Sequence, residues 1–90
     1  MTKIAILASS ILLATATLAN AGSLGRPCTS APQGQWLSLD AIQAKVEALG
    51  YKVQKAKLKA ACGELYTIDK NGSRVELFVD PTSGTIVGQL

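Results

Sequence analysis

Histidine is absent from this 90-residue chain, and large aromatic residues are scarce: one Trp, one Phe and two Tyr. Without histidine no Ser-His-Asp or Cys-His nucleophile system can be assembled, and the commonest transition-metal ligand is missing. Cysteine is limited to Cys28 and Cys62, which do not form the C-x-x-C spacing of a thiol redox motif. Beyond residue 21 no run is apolar enough to span a bilayer, so no transmembrane segment is expected there. Charge is not strongly one-sided: the formal net charge is +3 and the pI about 9.1, and Lys3 in the leader contributes to both. That balance does not argue for nucleic acid as a partner. Internal repeats and low-complexity tracts are missing as well.

What is present begins with a transport address. Lys3 supplies positive charge, Ile4 to Leu18 form an apolar run, and Ala19-Asn20-Ala21 places small residues at a cleavage position. The run is diluted by Ser9, Ser10, Thr15 and Thr17 and is shorter than the roughly 20 residues a membrane-spanning helix needs. Residues 1–21 therefore read as a signal peptide cleaved after Ala21, and the mature protein as periplasmic or secreted. Residues 22–90 are then one small domain, near the size limit at which a single core suffices.

Such a domain usually needs a staple, and export brings it into an oxidising compartment. Two cysteines allow one intramolecular pairing, Cys28 with Cys62, and closing that loop is worth roughly 3–4 kcal/mol on the chain-entropy model. A structural disulfide is the expected role. A redox couple or an intermolecular bridge are the functional alternatives.

Residues 22–35 hold Gly, Pro, Ser and Thr with little periodicity, which predicts an irregular arm tied down by Cys28. Ser38 then opens a helix. Its hydroxyl can accept from a first-turn N–H, Asp40 suits the positive end of the helix dipole, and Leu37 and Ile42 stand at hydrophobic-staple positions. Leu39, Ile42, Val46 and Leu49 recur at helical spacing, predicting an amphipathic helix from about Leu39 to Leu49, with Gly50 in the left-handed position after it.

Tyr51 to Leu58 reads as a first strand whose alternation breaks between Val53 and Ala56, so a bulge near Gln54 or Lys55 is expected. From Cys62 onward, Asn71-Gly72 and Pro81-Thr82-Ser83-Gly84 punctuate three strand-length runs, the pattern of an antiparallel meander. If Asn71-Gly72 is a two-residue turn, Asp69 faces Arg74, Ile68 faces Val75, Thr67 faces Glu76, Tyr66 faces Leu77 and Leu65 faces Phe78. One face then collects Tyr66, Ile68, Val75, Leu77 and Val79 for the helix to cover. The other carries the charged pairs together with Leu65 and Phe78. The expected fold is α+β: one amphipathic helix on a three- to four-stranded antiparallel sheet.

These residues resemble the PepSY domain family, specifically its small, exported, stand-alone members. The resemblance runs from Trp36 to Val87 and rests on the order and spacing of several pieces. A helix ends in Leu49-Gly50-Tyr51-Lys52-Val53, then come Cys62-Gly63-Glu64-Leu65-Tyr66 and the stretch Asp69 to Pro81, and Ser83-Gly84-Thr85-Ile86-Val87 closes the set. Ser83 stands where the family's closing turn commonly has Thr, and the Lys-rich first strand is more basic than its usual mixed charge. The resemblance implies residues 36–90 as the PepSY-like domain. It also implies an association with inhibiting, or assisting the folding of, a peptidase, and it carries no catalytic motif.

The chemistry-bearing residues favour binding over catalysis. Asp69-Lys70-Asn71-Gly72 looks like the start of a calcium loop but lacks the downstream acidic ligands, so a hairpin turn is expected and no metal or other cofactor. Glu64, Glu76 and Asp80 suggest paired carboxylates for acid–base work, but the expected register sends Glu64 and Glu76 to opposite faces. Asp80 suits a turn.

Three features are candidates for partner binding. Leu65 and Phe78 form an apolar pair on the second face, either open to a partner or covered by the Cys28 arm. Lys52, Lys55 and Lys57, with Lys59, make a basic strand that could meet an acidic partner or anionic surface, or serve only to discourage sheet-to-sheet aggregation. Trp36 is a packing anchor or a binding hot spot. The expected function is a non-enzymatic exported module that binds an envelope or secreted protein, by family analogy a peptidase, with a binder of small ligands or of anionic lipid or polymer as the alternative.

Overall fold

The computed structural model describes residues 24–90; the expected leader and its cleavage point after Ala21 lie outside them. Helix α1 spans Leu39–Glu47 and is followed by four strands, β1 (Lys52–Lys59), β2 (Cys62–Ile68), β3 (Arg74–Val79) and β4 (Ile86–Gln89). They form one antiparallel sheet in the order β1-β2-β3-β4, so every neighbour in space is a neighbour in sequence. The α+β architecture is the expected one.

Ser38 caps α1 as expected, its Oγ accepting from the Ala41 N–H at 3.1 Å, with Asp40 in the first turn. Ile42 and Val46, one turn apart, are fully buried and anchor the helix on the sheet. The helix ends two residues before the expected Leu49. Leu49 and Gly50 instead close tighter turns onto the Val46 and Glu47 carbonyls, each at 3.0 Å, with Gly50 at φ 104°. That tightening carries Leu49 off the apolar face and leaves it 58 % exposed.

The principal core consists of Ile42, Val46, Leu65, Leu77 and Val79, with Leu37, Tyr51, Val53, Ala56, Val75 and Ile86 packed around it. A hydrogen bond of 2.8 Å from Leu37 N–H to the Pro81 carbonyl ties the entry of the helix to the β3–β4 turn. In that turn Asp80 Oδ1 accepts from the Thr82 N–H at 2.8 Å, the turn role expected for this residue.

The β2–β3 register differs from the expected one by one residue. Tyr66 faces Glu76, Leu65 faces Leu77 and Glu64 faces Phe78. The cause is the turn. The loop between Asp69 and Ser73 holds three residues, because Gly72 N–H bonds to the Asp69 carbonyl at 2.9 Å and Asp69 N–H to the Ser73 carbonyl at 2.8 Å. Asp69 Oδ1 accepts from the N–H groups of Asn71 and Ser73, both at 2.9 Å, and Gly72 takes φ 86°. This is a type I turn closed by a left-handed glycine rather than a two-residue Asn-Gly turn.

A one-residue slip moves one strand's side chains to the opposite face. Val75, Leu77 and Val79 stay where expected, but β2 is turned over. Leu65 lies under the helix, whereas Tyr66 and Ile68 point to the other face with Glu64.

Between β1 and β2, Lys59 faces Cys62 across a two-residue turn of Ala60 and Ala61, at φ 51° and 62°. Both alanines occupy the left-handed region that favours glycine and asparagine. Cys28 N–H bonds to the Ala61 carbonyl at 3.3 Å and the Cys28–Cys62 disulfide is formed, so the arm clamps this turn from outside.

Candidate protein-binding face

The bulge on β1 decides what the second face of the sheet displays. Val53 faces Thr67 and Lys55 faces Tyr66, so Gln54 is the extra residue, at the place the broken alternation indicates. Strict alternation from Val53 would send Lys55, Lys57 and Lys59 into the core. With the extra residue, Val53, Ala56 and Leu58 share the helix side, and Lys52, Lys55, Lys57 and Lys59 all stand on the opposite face. Arg74, opposite Ile68, adds a fifth cation to that face.

The arm covers one end of this face. Cys28 is bonded to Cys62 on β2, Arg26 Nη2 donates to the Val87 carbonyl on β4 at 3.5 Å, and Leu24 lies over Gly88. Between those two strands is Phe78, which faces Glu64 on one side and Gly88 on the other and is fully buried. Phe78 thus forms a second small core under the arm. Leu65 is also fully buried, but beneath α1, so these two expected partner-binding residues occupy opposite sides of the sheet and neither is at the surface. Trp36 is half-buried, and its indole N–H donates to the Ala31 carbonyl at 3.0 Å, fastening the end of the arm.

Glu64 and Glu76, expected on opposite faces, lie on the same one, because the three-residue loop flips β2. They are 2 % and 8 % exposed, and Tyr66 stands between them in the ladder. Tyr66 hydrogen-bonds to Glu76, and its phenol is held above the usual 10.0 by partial burial first, then by the charges of Glu76 and Glu64. Lys57 approaches Glu64 Oε1 at 3.9 Å, an ion pair rather than a hydrogen bond. Glu64 Oε1 and Glu76 Oε2 are buried from solvent. The cluster is a polar support beneath the lysines, and the off-by-one register hid it from sequence reasoning. A partial signal lay in Asp69 and Gly72, the first and fourth positions of a type I turn, but Asn71-Gly72 fits a two-residue turn equally well, so the sequence left both loops open.

The part of the face the arm leaves uncovered carries exposed Lys52, Lys55 and Arg74 beside half-buried Tyr66 and Ile68. A shallow hollow lined by Gln54, Tyr66, Ile68, Arg74 and Glu76 runs along it. Among the described residues no group of three or more His, Cys, Asp and Glu could hold a metal ion, and no helix is long and apolar enough to cross a membrane.

No curated protein and no solved structure matches the chain. One family does match, over residues 3–89, which takes in the helix and all four strands. With one helix on a four-stranded antiparallel meander and that match spanning nearly the whole sequence, the chain belongs to the PepSY family described as the peptidase propeptide and YPEB domain.

Proposed function

We propose that this protein is a non-enzymatic, exported binding module that engages another envelope or secreted protein, with a peptidase that it inhibits or helps fold as the partner. Membership of the family is consistent with a peptidase-propeptide-like module. The peptidase itself is carried over by family analogy. The formed disulfide suits an oxidising compartment and supports export.

The observation that carries the binding reading is the gathering of Lys52, Lys55, Lys57 and Lys59 on one face by the bulge at Gln54. The strand spends a regular ladder position to turn these charges away from the core, and the arm leaves part of that face open. Such a surface selects acidic partners and speeds their encounter.

The test is crosslinking of the oxidised protein in an envelope extract followed by pull-down, with Lys52→Glu/Lys55→Glu as the comparison. Capture of a peptidase or other protein by the wild type, lost in the variant, is the expected result. No protein captured, together with salt-sensitive sedimentation on anionic vesicles, would transfer the function to binding of an anionic surface.

A further inference from the structure

Strand β1 lies at one edge of the sheet, and among the described residues no strand pairs with its outer side. Eight residues long, it presents the unpaired N–H and C=O groups that template another strand. Its two faces are chemically opposite. Lys52, Lys55, Lys57 and Lys59 stand on one, and Val53, Ala56 and Leu58 on the other, beside α1. Leu58 is 37 % exposed at this edge, and Leu49, at the end of the helix, is 58 % exposed. Of these four lysines only Lys57 has an ion-pair partner among the described residues, Glu64 at 3.9 Å.

We infer that the outer edge of β1 is a docking site for an extended segment of a protein partner. That segment adds as a further strand and alternates acidic side chains, set against the lysines, with apolar ones set against Leu58 and the flank of α1. The inference rests on the binding-module reading and specifies its mode and the chemistry of the partner.

Charge complementarity selects this occupant over a second copy of the chain. Pairing β1 with another β1 so that like faces continue sets lysines against lysines, which is unfavourable, and a one-residue shift sets them against Val53, Ala56 and Leu58 with no opposite charge to meet. The lysines therefore close the edge to self-association while leaving it open to an acidic strand, attraction and rejection coming from the same residues. Main-chain hydrogen bonds supply the affinity, and the alternation of the two faces supplies the specificity.

The experiment uses the oxidised protein and eight-residue probes matched to the length of β1: alternating Glu and Val, alternating Lys and Val, and the Glu-Val peptide N-methylated at alternate residues. Binding is read by fluorescence anisotropy and by amide hydrogen exchange along β1. The Glu-Val peptide is expected to bind, to slow exchange in β1 and to weaken with salt, while the N-methylated and Lys-Val peptides do not bind. Lys52→Glu/Lys55→Glu should weaken the Glu-Val peptide by roughly tenfold and admit the Lys-Val peptide.

Equal binding of the N-methylated peptide would overturn strand addition. A concentration-dependent dimer that protects β1 would overturn it in favour of a second copy. If a protein partner is captured from the extract but the Glu-Val peptide neither binds nor competes with it, the edge inference fails while the binding-module reading stands.

Discussion

Tyr66 lies opposite Glu76 across the β2–β3 ladder and hydrogen-bonds to its carboxylate, with Glu64 two residues away on the same strand and face. Partial burial and these two acids raise the phenol above its ordinary 10.0, so the fold favours the protonated form. The stability this contributes is present in full below pH 10 and lost as pH rises through the elevated value. The stability gap between wild type and Tyr66→Phe should be flat below pH 10 and shrink as pH rises from there through the elevated value. Urea unfolding at graded alkaline pH, alongside phenolate absorbance, measures it; a gap that stays constant would sink this account.

The Cys28–Cys62 bridge closes a loop of 34 residues and holds the arm over Phe78. Replacing both cysteines by serine should cost roughly 3–4 kcal/mol and lower the melting temperature by roughly 15 °C or more. Binding of a hydrophobic dye should rise as the arm releases Phe78. An unchanged melting temperature would show that the bridge is not structural.

Ala60 and Ala61 adopt φ 51° and 62°, a conformation that costs an L side chain roughly 1 kcal/mol or more per residue. Ala60→Asn/Ala61→Gly supplies the residues this turn favours. The gain expected on urea unfolding is about 1 kcal/mol, after the greater freedom of glycine in the unfolded chain is subtracted. The gain should be larger in the protein lacking the disulfide, where the clamp on the turn is missing. A loss of stability in both backgrounds would contradict the assigned strain.

At Gly88 an added Cβ would stand 2.6 Å from Leu24 Cδ1. Gly88→Val should displace Leu24 and loosen the arm while leaving the helix side intact. Faster hydrogen exchange at residues 24–28, with unchanged protection of Leu65 and Leu77, is the expected pattern. Uniform loss of protection would mean that the arm and the main core are one unit.

Much of the fold follows from local rules acting on near neighbours. Ser38 and Asp40 set the start of α1, the broken alternation after Val53 marks the bulge at Gln54, and a lone pair of cysteines has one way to bridge within the chain. The lysine face could be read in part for the same reason, since a bulge of one residue is enough to turn it outward.

The sequence by itself determined the helix, the strands, the staple and the existence of a basic strand, because each depends on spacings of a few residues and on side-chain chemistry that acts locally. Only the tertiary structure decided which face each part of β2 presents. The side chain of Asp69 and the left-handed Gly72 choose between a two- and a three-residue loop, and one residue of register reverses the strand. That choice buried Leu65 under α1, set Phe78 beneath the arm and brought Glu64, Tyr66 and Glu76 together behind the lysines. The path of the arm and the strained Ala60-Ala61 turn likewise depend on contacts between residues distant in sequence, held by the disulfide, which no local pattern encodes.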